Sequence, residues 1–247
     1  MSGSMYMAAT GALNYQKKLD VLANNVANIN TVGFKADKVS FVAVDLAEND
    51  STLSDPSANT NLLSVVSKPV FSSGSMRFTG NTFDVALEGD GFFSVNTPDG
   101  VRYTRNGSFT FNNNGTLVTR DGFPVLGDGG EISINDVEDS KIVIDEVGNI
   151  YSDDKKIGAL KLVDFSKPYE LDKVGSTFFM AKDLNANEIE PDELKVNQGF
   201  VELSNVDAVR AMTEMIETLR GYESYQKIIR SLSDVSAKAI NDVGSVQ

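Results

Sequence analysis

The chain has 247 residues, 41% of them hydrophobic and 23% charged, a composition that suits one large folded domain or two small ones. Its 35 Asp and Glu against 22 Lys and Arg leave a net charge of -13, which argues against nucleic acid and anionic membrane as partners. Cysteine and histidine are both absent, which removes disulfides, thiolate chemistry, the commonest general base and the commonest transition-metal ligand.

The first predicted element is a helix. Met5, Ala8, Ala12, Tyr15, Leu19, Leu22, Val26 and Ile29 alternate spacings of 3 and 4, the rhythm of a coiled-coil seam. Its end reads LANNVANINTVGFK, with Asn24, Asn25, Asn28 and Asn30 beside the seam, although asparagine is a mediocre helix former. Gly33 is expected to stop the helix in a left-handed cap, with Phe34 anchoring the turn that follows. No basic, apolar and small-residue series of a secretory signal opens the chain, and no apolar run approaches the ~20 residues of a membrane helix. Residues 1–44 carry four Lys and two Asp and form the N-terminal part of a helical unit.

Residues 45–70 are expected to be a mobile or conditionally ordered linker, because Glu48–Ser64 is polar, rich in Ser and Asn, and broken by Pro56. A β-rich domain is expected over 71–195. Phe92–Thr97, Val101–Arg105, Ser108–Asn112 and Thr116–Arg120 are separated by Pro98-Asp99-Gly100, Asn106-Gly107 and Asn114-Gly115, and Asp121-Gly122 follows, which reads as an antiparallel meander. Phe83–Glu88, Ile132–Ile134, Lys141–Asp145, Ile157–Phe165 and Thr177–Ala181 are further strand candidates within a sandwich or barrel-like arrangement. The whole negative charge lies in residues 45–200, since the two ends cancel.

Residues 196–247 are expected to hold the return linker and the C-terminal helix of the helical unit. Ala208, Met212, Met215, Leu219, Tyr222, Gln226, Ile229, Ser233, Ser236, Ile240 and Val243 alternate 4 and 3, and Ser204 with Asp207 reads as the cap. The fold class is therefore mixed and mainly β: an antiparallel β domain inserted between N- and C-terminal helices that pair as a coiled-coil-like unit. A narrow stripe on each helix favours a partner helix over a private core.

No enzyme is expected. Glu88-Gly89-Asp90-Gly91 and Gly127-Asp128-Gly129-Gly130 form neither a dinucleotide fingerprint nor a P-loop. The acidic pairs Asp145-Glu146, Asp153-Asp154 and Asp192-Glu193 fit neither an EF-hand nor a carboxylate dyad on one strand face. No cofactor, metal or small-molecule substrate is indicated.

Three blocks resemble the axial proteins of the bacterial flagellar rod and hook. Met5–Lys35 is similar to their N-terminal signature, with Asn24, Asn25, Asn28, Gly33 and Phe34 in its core. Phe83–Gly127 resembles their central hairpin region, including Gly89, Gly91, Phe92 and Phe93. Val201–Asp234 resembles their last helix, with Asn205 and Asp207 at its start and Tyr222 and Glu223 at its centre. Residues 130–195 fit no pattern of the family.

The resemblance implies a structural subunit of the basal-body rod, in the periplasm-spanning axis. It implies export without a cleaved signal peptide through the flagellar type III apparatus, and neighbours that are other rod subunits. Such subunits polymerise through their terminal helices into a hollow tube that transmits torque and conducts exported chains. Compactness and the YMAATGAL opening point to the proximal-rod branch, with the distal rod or the hook as alternatives. A secreted β-domain binding module with helical oligomerising ends is the alternative from another class. On this reading Met5, Tyr15, Leu19, Leu22, Val26, Ile29, Met212, Met215, Leu219, Tyr222, Ile229 and Ile240 line the subunit seams. The asparagines are then expected to hydrogen-bond to neighbouring subunits or to channel water, or simply to form a solvated helix face.

Overall fold

The computed structural model describes residues 2–44, 62–134, 141–167, 169–182 and 188–244. It is mainly β, with one long helix at each end, α1 (Ser2–Ala27) and α2 (Ala208–Gly244). Two compact units emerge. One holds the described parts of Met1–Ala27, Asp37–Val70 and Asp207–Gln247, and the other Asn28–Ala36 with the described parts of Phe71–Val206. The β unit thus takes in Asn28–Ala36 and residues 196–206, which helical periodicity alone groups with the chain ends.

In the helical unit, α1 and α2 meet at a pair of tyrosines. The rings of Tyr15 and Tyr225 lie 5.4 Å apart. Each ring rests on a glycine of the opposite helix. A Cβ on Gly221 would stand 2.1 Å from Tyr15 Cε1, and one on Gly11 would stand 2.4 Å from Tyr225 Cε1. A helical glycine costs about 1 kcal/mol against alanine, so its presence here is explained by the close approach it allows. Gly11→Val and Gly221→Val are each expected to destabilise the unit by about 1–3 kcal/mol through overpacking, measured as an earlier loss of helical circular dichroism on heating; a neutral or stabilising result would refute the close fit.

The same unit contains a hairpin, Asp37–Val44 paired antiparallel with Leu62–Pro69 from Asp37↔Pro69 to Val44↔Leu62. The second strand falls inside the segment expected to be a linker. Its apolar residues Leu62, Leu63, Val65 and Val66 give it strand character that the Ser and Asn content of the stretch obscured. Residues 45–61, the rest of that expected linker up to the strand, lie outside the described residues.

The β unit is assembled from small antiparallel sheets. The largest has five strands in the order Leu162–Val163, Phe92–Thr97, Gly100–Thr104, Phe178–Ala181, Leu171–Val174. A three-stranded sheet joins Ile142–Ile144, Asn149–Ser152 and Lys155–Ala159. Val85–Glu88 pairs with Lys195–Gln198, Met76–Phe78 with Phe200–Glu202, Phe109–Phe111 with Leu117–Thr119, and Leu126–Gly127 with Gly130–Glu131.

Phe92–Thr97 explains the double phenylalanine. Successive side chains of a strand point to opposite faces. Phe92 therefore enters one core with Tyr103, Val163, Phe165, Leu171 and Phe179. Phe93 enters the other, larger one, with Val85, Leu87, Phe109, Val125, Ile150 and Val196 among its members.

The expected meander is corrected in one place and the further strand candidates in two. Gly100–Thr104 turns to Phe178–Ala181 for its second neighbour, so Asn106-Gly107 closes no hairpin; Gly107 instead sits where a Cβ would lie 1.7 Å from Val85 O. Ile132–Ile134 forms no named strand and is tied in by a single bridge, Ser133 to Thr116, while both isoleucines are buried in the larger core. Ile157–Phe165 is broken into Lys155–Ala159 and Leu162–Val163, which belong to different sheets. For Gly100–Thr104 and for Leu162–Val163 a distant partner outranked the local turn. The acidic pair Asp153-Asp154 is the turn between Asn149–Ser152 and Lys155–Ala159, with φ of 48° and 66°, a backbone conformation that aspartate tolerates.

Candidate functional site

A buried polar constellation lies within the β unit, where Asn28–Ala36 docks against residues 72–74, 105–106, 173 and 202–205. The segment starts with a tight turn, in which Thr31 N donates to Asn28 O at 3.1 Å and Thr31 Oγ1 to Asn28 Oδ1 at 3.1 Å. Gly33 then adopts φ +69°, the left-handed conformation expected of it, but α1 already ends at Ala27, so Gly33 does not stop that helix; its N donates to Glu202 O at 2.8 Å. Phe34 is fully buried, with Lys173 Nζ 3.8 Å from the centre of its ring. Lys173 Nζ also donates to Lys35 O at 2.7 Å.

Lys35 enters the interior. Its Nζ donates to Glu202 Oε1 at 2.7 Å and to Ser72 O at 2.9 Å. The same carboxylate oxygen accepts from Gly74 N at 2.7 Å. Arg105 approaches the other oxygen, with Nη1 3.5 Å from Glu202 Oε2. Its Nη2 donates to Gly89 O at 2.7 Å, and its guanidinium stacks 5.3 Å from the Phe92 ring centre. All three charged side chains are 2% exposed or less. Burial is the largest influence on Lys35 and lowers its pKa below the usual lysine value, with Glu202 pulling the other way. Asn205 completes the lock: its Oδ1 accepts from Ala36 N at 2.7 Å and its Nδ2 donates to Ser72 O at 3.0 Å.

Of the motif residues singled out in the sequence, Gly33, Phe34, Gly89, Phe92 and Asn205 meet at this junction, and Asn28 opens the docked segment. Gly91, at φ +144°, belongs to the nearby turn, and Phe93 lies in the larger core. Lys35, Ser72, Arg105, Lys173 and Glu202 were not foreseen as site residues. The signal for Lys35 and Glu202 is a lone charge inside an apolar frame, in VGFK and GFVELSNV.

Asn25 corrects the expectation that the asparagines reach outward. It is buried in the helical unit, where its Nδ2 donates to Asp37 O at 2.8 Å and its Oδ1 accepts from Asp37 N at 2.9 Å. It imitates a strand at the root of the hairpin. Asn24 and Asn30 are exposed. Asp207, and not Ser204, caps α2, because the helix begins at Ala208; Arg210 N donates to Asp207 Oδ1 at 3.0 Å.

Along the helices, Leu22 is buried, Tyr15, Leu19 and Val26 are half-buried and Met5 is exposed. Ile29, half-buried, lies past the end of α1 in the segment that belongs to the β unit. On α2, Ala208, Ala211, Met215, Thr218, Tyr222, Tyr225, Ile229 and Leu232 are all buried or half-buried and again alternate 3 and 4. This face holds Met215, Tyr222 and Ile229 of the expected subunit seam together with the smaller Ala211 and Thr218, while Met212 and Leu219 of that seam stay exposed. Close approach favours small side chains over the large ones that sequence reading weights. Val209, Met212, Ile216 and Leu219 form a second row, 45% to 77% exposed. Glu223 is exposed beside it, and the side chain of Ile240 lies outside those described.

Comparison with known proteins agrees with this organisation. Residues 5–35 match the family model described as flagella basal body rod protein, residues 86–152 that of the flagellar hook protein FlgE/F/G D1 domain, and residues 197–242 that of the flagellar basal body rod FlgEFG protein C-terminal. The flagellar basal-body rod protein FlgG of Bacillus subtilis is 35% identical over 98% of this chain and 99% of its own. The flagellar basal-body rod protein FlgF of Caulobacter vibrioides is 33% identical over the full length of both, and that of Mesorhizobium japonicum is 32% identical over 99% of each.

Proposed function

The chain belongs to the flagellar basal-body rod protein family, and from that premise we propose that it polymerises through α1 and α2 into a hollow axial tube that transmits torque and conducts exported subunits. The observation that carries this reading is the exposed row Val209, Met212, Ile216 and Leu219 on α2. A contiguous apolar row left in water marks an interface. Its 3-4-3 spacing suits a helix of another subunit in coiled-coil-like packing, and the contact is heterologous, as an open helical tube requires. The pairing of α1 with α2 around Tyr15 and Tyr225 then supplies the rigid base for that seam.

Ile216→Asp tests the reading. The position is already solvated in the single chain, so its helical circular dichroism and melting temperature are expected to stay near wild type. Incorporation into isolated basal bodies, and swimming in soft agar, are expected to fall at least tenfold, a change of about 1.4 kcal/mol or more per subunit contact. Normal incorporation would remove α2 as the seam.

Both FlgF and FlgG names occur among the relatives, and we assign the proximal position on the compact length of the chain and its YMAATGAL opening. Export through the flagellar type III apparatus without a cleaved signal peptide accompanies that assignment. Electron microscopy of basal bodies from a deletion strain tests it. Short rod stubs support a proximal place, whereas complete rods lacking hooks move the subunit outward.

A further inference from the structure

The strand Phe200–Glu202 carries the buried carboxylate, yet its ladder is slight. It pairs with Met76–Phe78, three residues that are all exposed. Phe78 stacks on Phe200 at 5.1 Å but is itself 69% exposed. A two-stranded ribbon of this length does not hold itself in water.

The stronger ties at this edge run to Asn28–Ala36. Gly33 N takes Glu202 O, Lys35 Nζ takes Glu202 Oε1 and Ser72 O, and Ala36 N takes Asn205 Oδ1. Phe34 provides the apolar anchor. Withdrawal of the segment would leave Glu202 and Arg105 buried with the second cation gone. Glu202 Oε1 then loses its 2.7 Å lysine donor and retains Gly74 N, with Arg105 3.5 Å from Oε2; a buried carboxylate short of donors is unfavourable, so the structure opens until water reaches it.

We infer that Asn28–Ala36 is a clasp whose seating completes the β unit, and that residues 72–80 and 199–205 open together as one cooperative edge when it is out. The edge has a natural limit on each side. Gly199, at φ +80°, separates Phe200–Glu202 from Lys195–Gln198, where Val196 is buried in the larger core and holds its own pairing with Val85–Glu88. On the other side the boundary is the well-packed Val85. A chain whose first 36 residues are still extended therefore keeps this edge open while both cores are formed. The device makes local order near one end of the β unit conditional on the N-terminal segment folding back.

Hydrogen exchange on the full chain tests the clasp, in Lys35→Ala and in the milder Phe34→Leu. The amides to follow are Gly74, bonded to Glu202 Oε1, Thr79 and Gly80, bonded to Gly199 O, and Leu203, bonded to Ser75 O. In Lys35→Ala they are expected to exchange ~100-fold faster than in wild type, the effect of breaking a buried pair read as local opening. Phe34→Leu should accelerate the same set by a smaller factor. Val85, bonded to Gly107 O, and Leu117, bonded to Ile132 O, should keep wild-type rates in both. Unchanged rates at Thr79, Gly80 and Leu203, or an equal acceleration at Val85 and Leu117, would overturn the clasp.

Discussion

Glu202→Ala is expected to destabilise the β unit by about 3–5 kcal/mol, the cost of removing one member of a buried ion pair. The reason is arithmetic of charge in a place water does not reach. Lys35 and Arg105 share this one carboxylate, and all three side chains are 2% exposed or less. Alanine leaves two cations facing each other, and it also strips the acceptor from Lys35 Nζ and from Gly74 N. Glu202→Gln separates these causes. It keeps an oxygen for both donors and loses only the charge, so its cost should be clearly smaller than that of alanine. Urea unfolding followed by tyrosine fluorescence would measure both; an alanine variant within 1 kcal/mol of wild type would mean that the carboxylate is not the hub.

The same cluster predicts a pH dependence. Burial holds the Lys35 pKa below its ordinary value in the folded chain. Between the folded value and the ordinary one near ~10.4 the unfolded chain binds the extra proton, so the Lys35 contribution makes stability rise with pH across that window. Lys35→Met should lose that rise relative to wild type. A steeper rise in the variant would reverse the sign assigned to burial.

Much of the architecture was legible because it is written in short-range patterns. The 3-4 spacing found both helices, and the PDG and NNNG turns with their flanking aromatics found Phe92–Thr97 and Phe109–Phe111. What stayed hidden depends on partners far along the chain. Periodicity gave α2 a single seam where the helix has two faces, since Met215, Tyr222 and Ile229 are half-buried while Met212 and Leu219 are exposed. The buried face includes Ala211 and Thr218, and Gly221 leaves the room in which the Tyr15 ring sits; smallness looks neutral in a sequence. Asn25 looked outward-facing for a similar reason: its partner Asp37 is twelve residues away in another element. Lys35 and Glu202 are separated by 167 positions, so no window could join them. The motif residues Gly33, Phe34 and Asn205 were found, but their physical purpose, seating a lysine against a buried carboxylate, required the fold.

Gly33→Val is expected to be the most damaging single change in the N-terminal segment, and the argument separates two causes. At φ +69° a β-branched residue is strained, at about 1–3 kcal/mol. In addition, a Cβ at this position would lie 2.3 Å from Asn106 N and 2.5 Å from Arg105 C. Those are backbone atoms next to the buried Arg105, so they cannot swing aside as the end of a side chain could. The strain and the collision together put the cost above that of either alone. Asparagine tells them apart, because it tolerates the left-handed conformation and so removes most of the dihedral strain. If the dihedral were the whole reason for glycine, Gly33→Asn would be nearly neutral. The contact with Asn106 predicts otherwise: Gly33→Asn should still lose about 1–3 kcal/mol by overpacking, and Gly33→Val more than that. Urea unfolding of the two variants beside wild type gives the answer. A neutral asparagine variant would reduce Gly33 to a simple left-handed turn residue, whereas loss in both makes it the residue through which the segment gains its fit against the β unit.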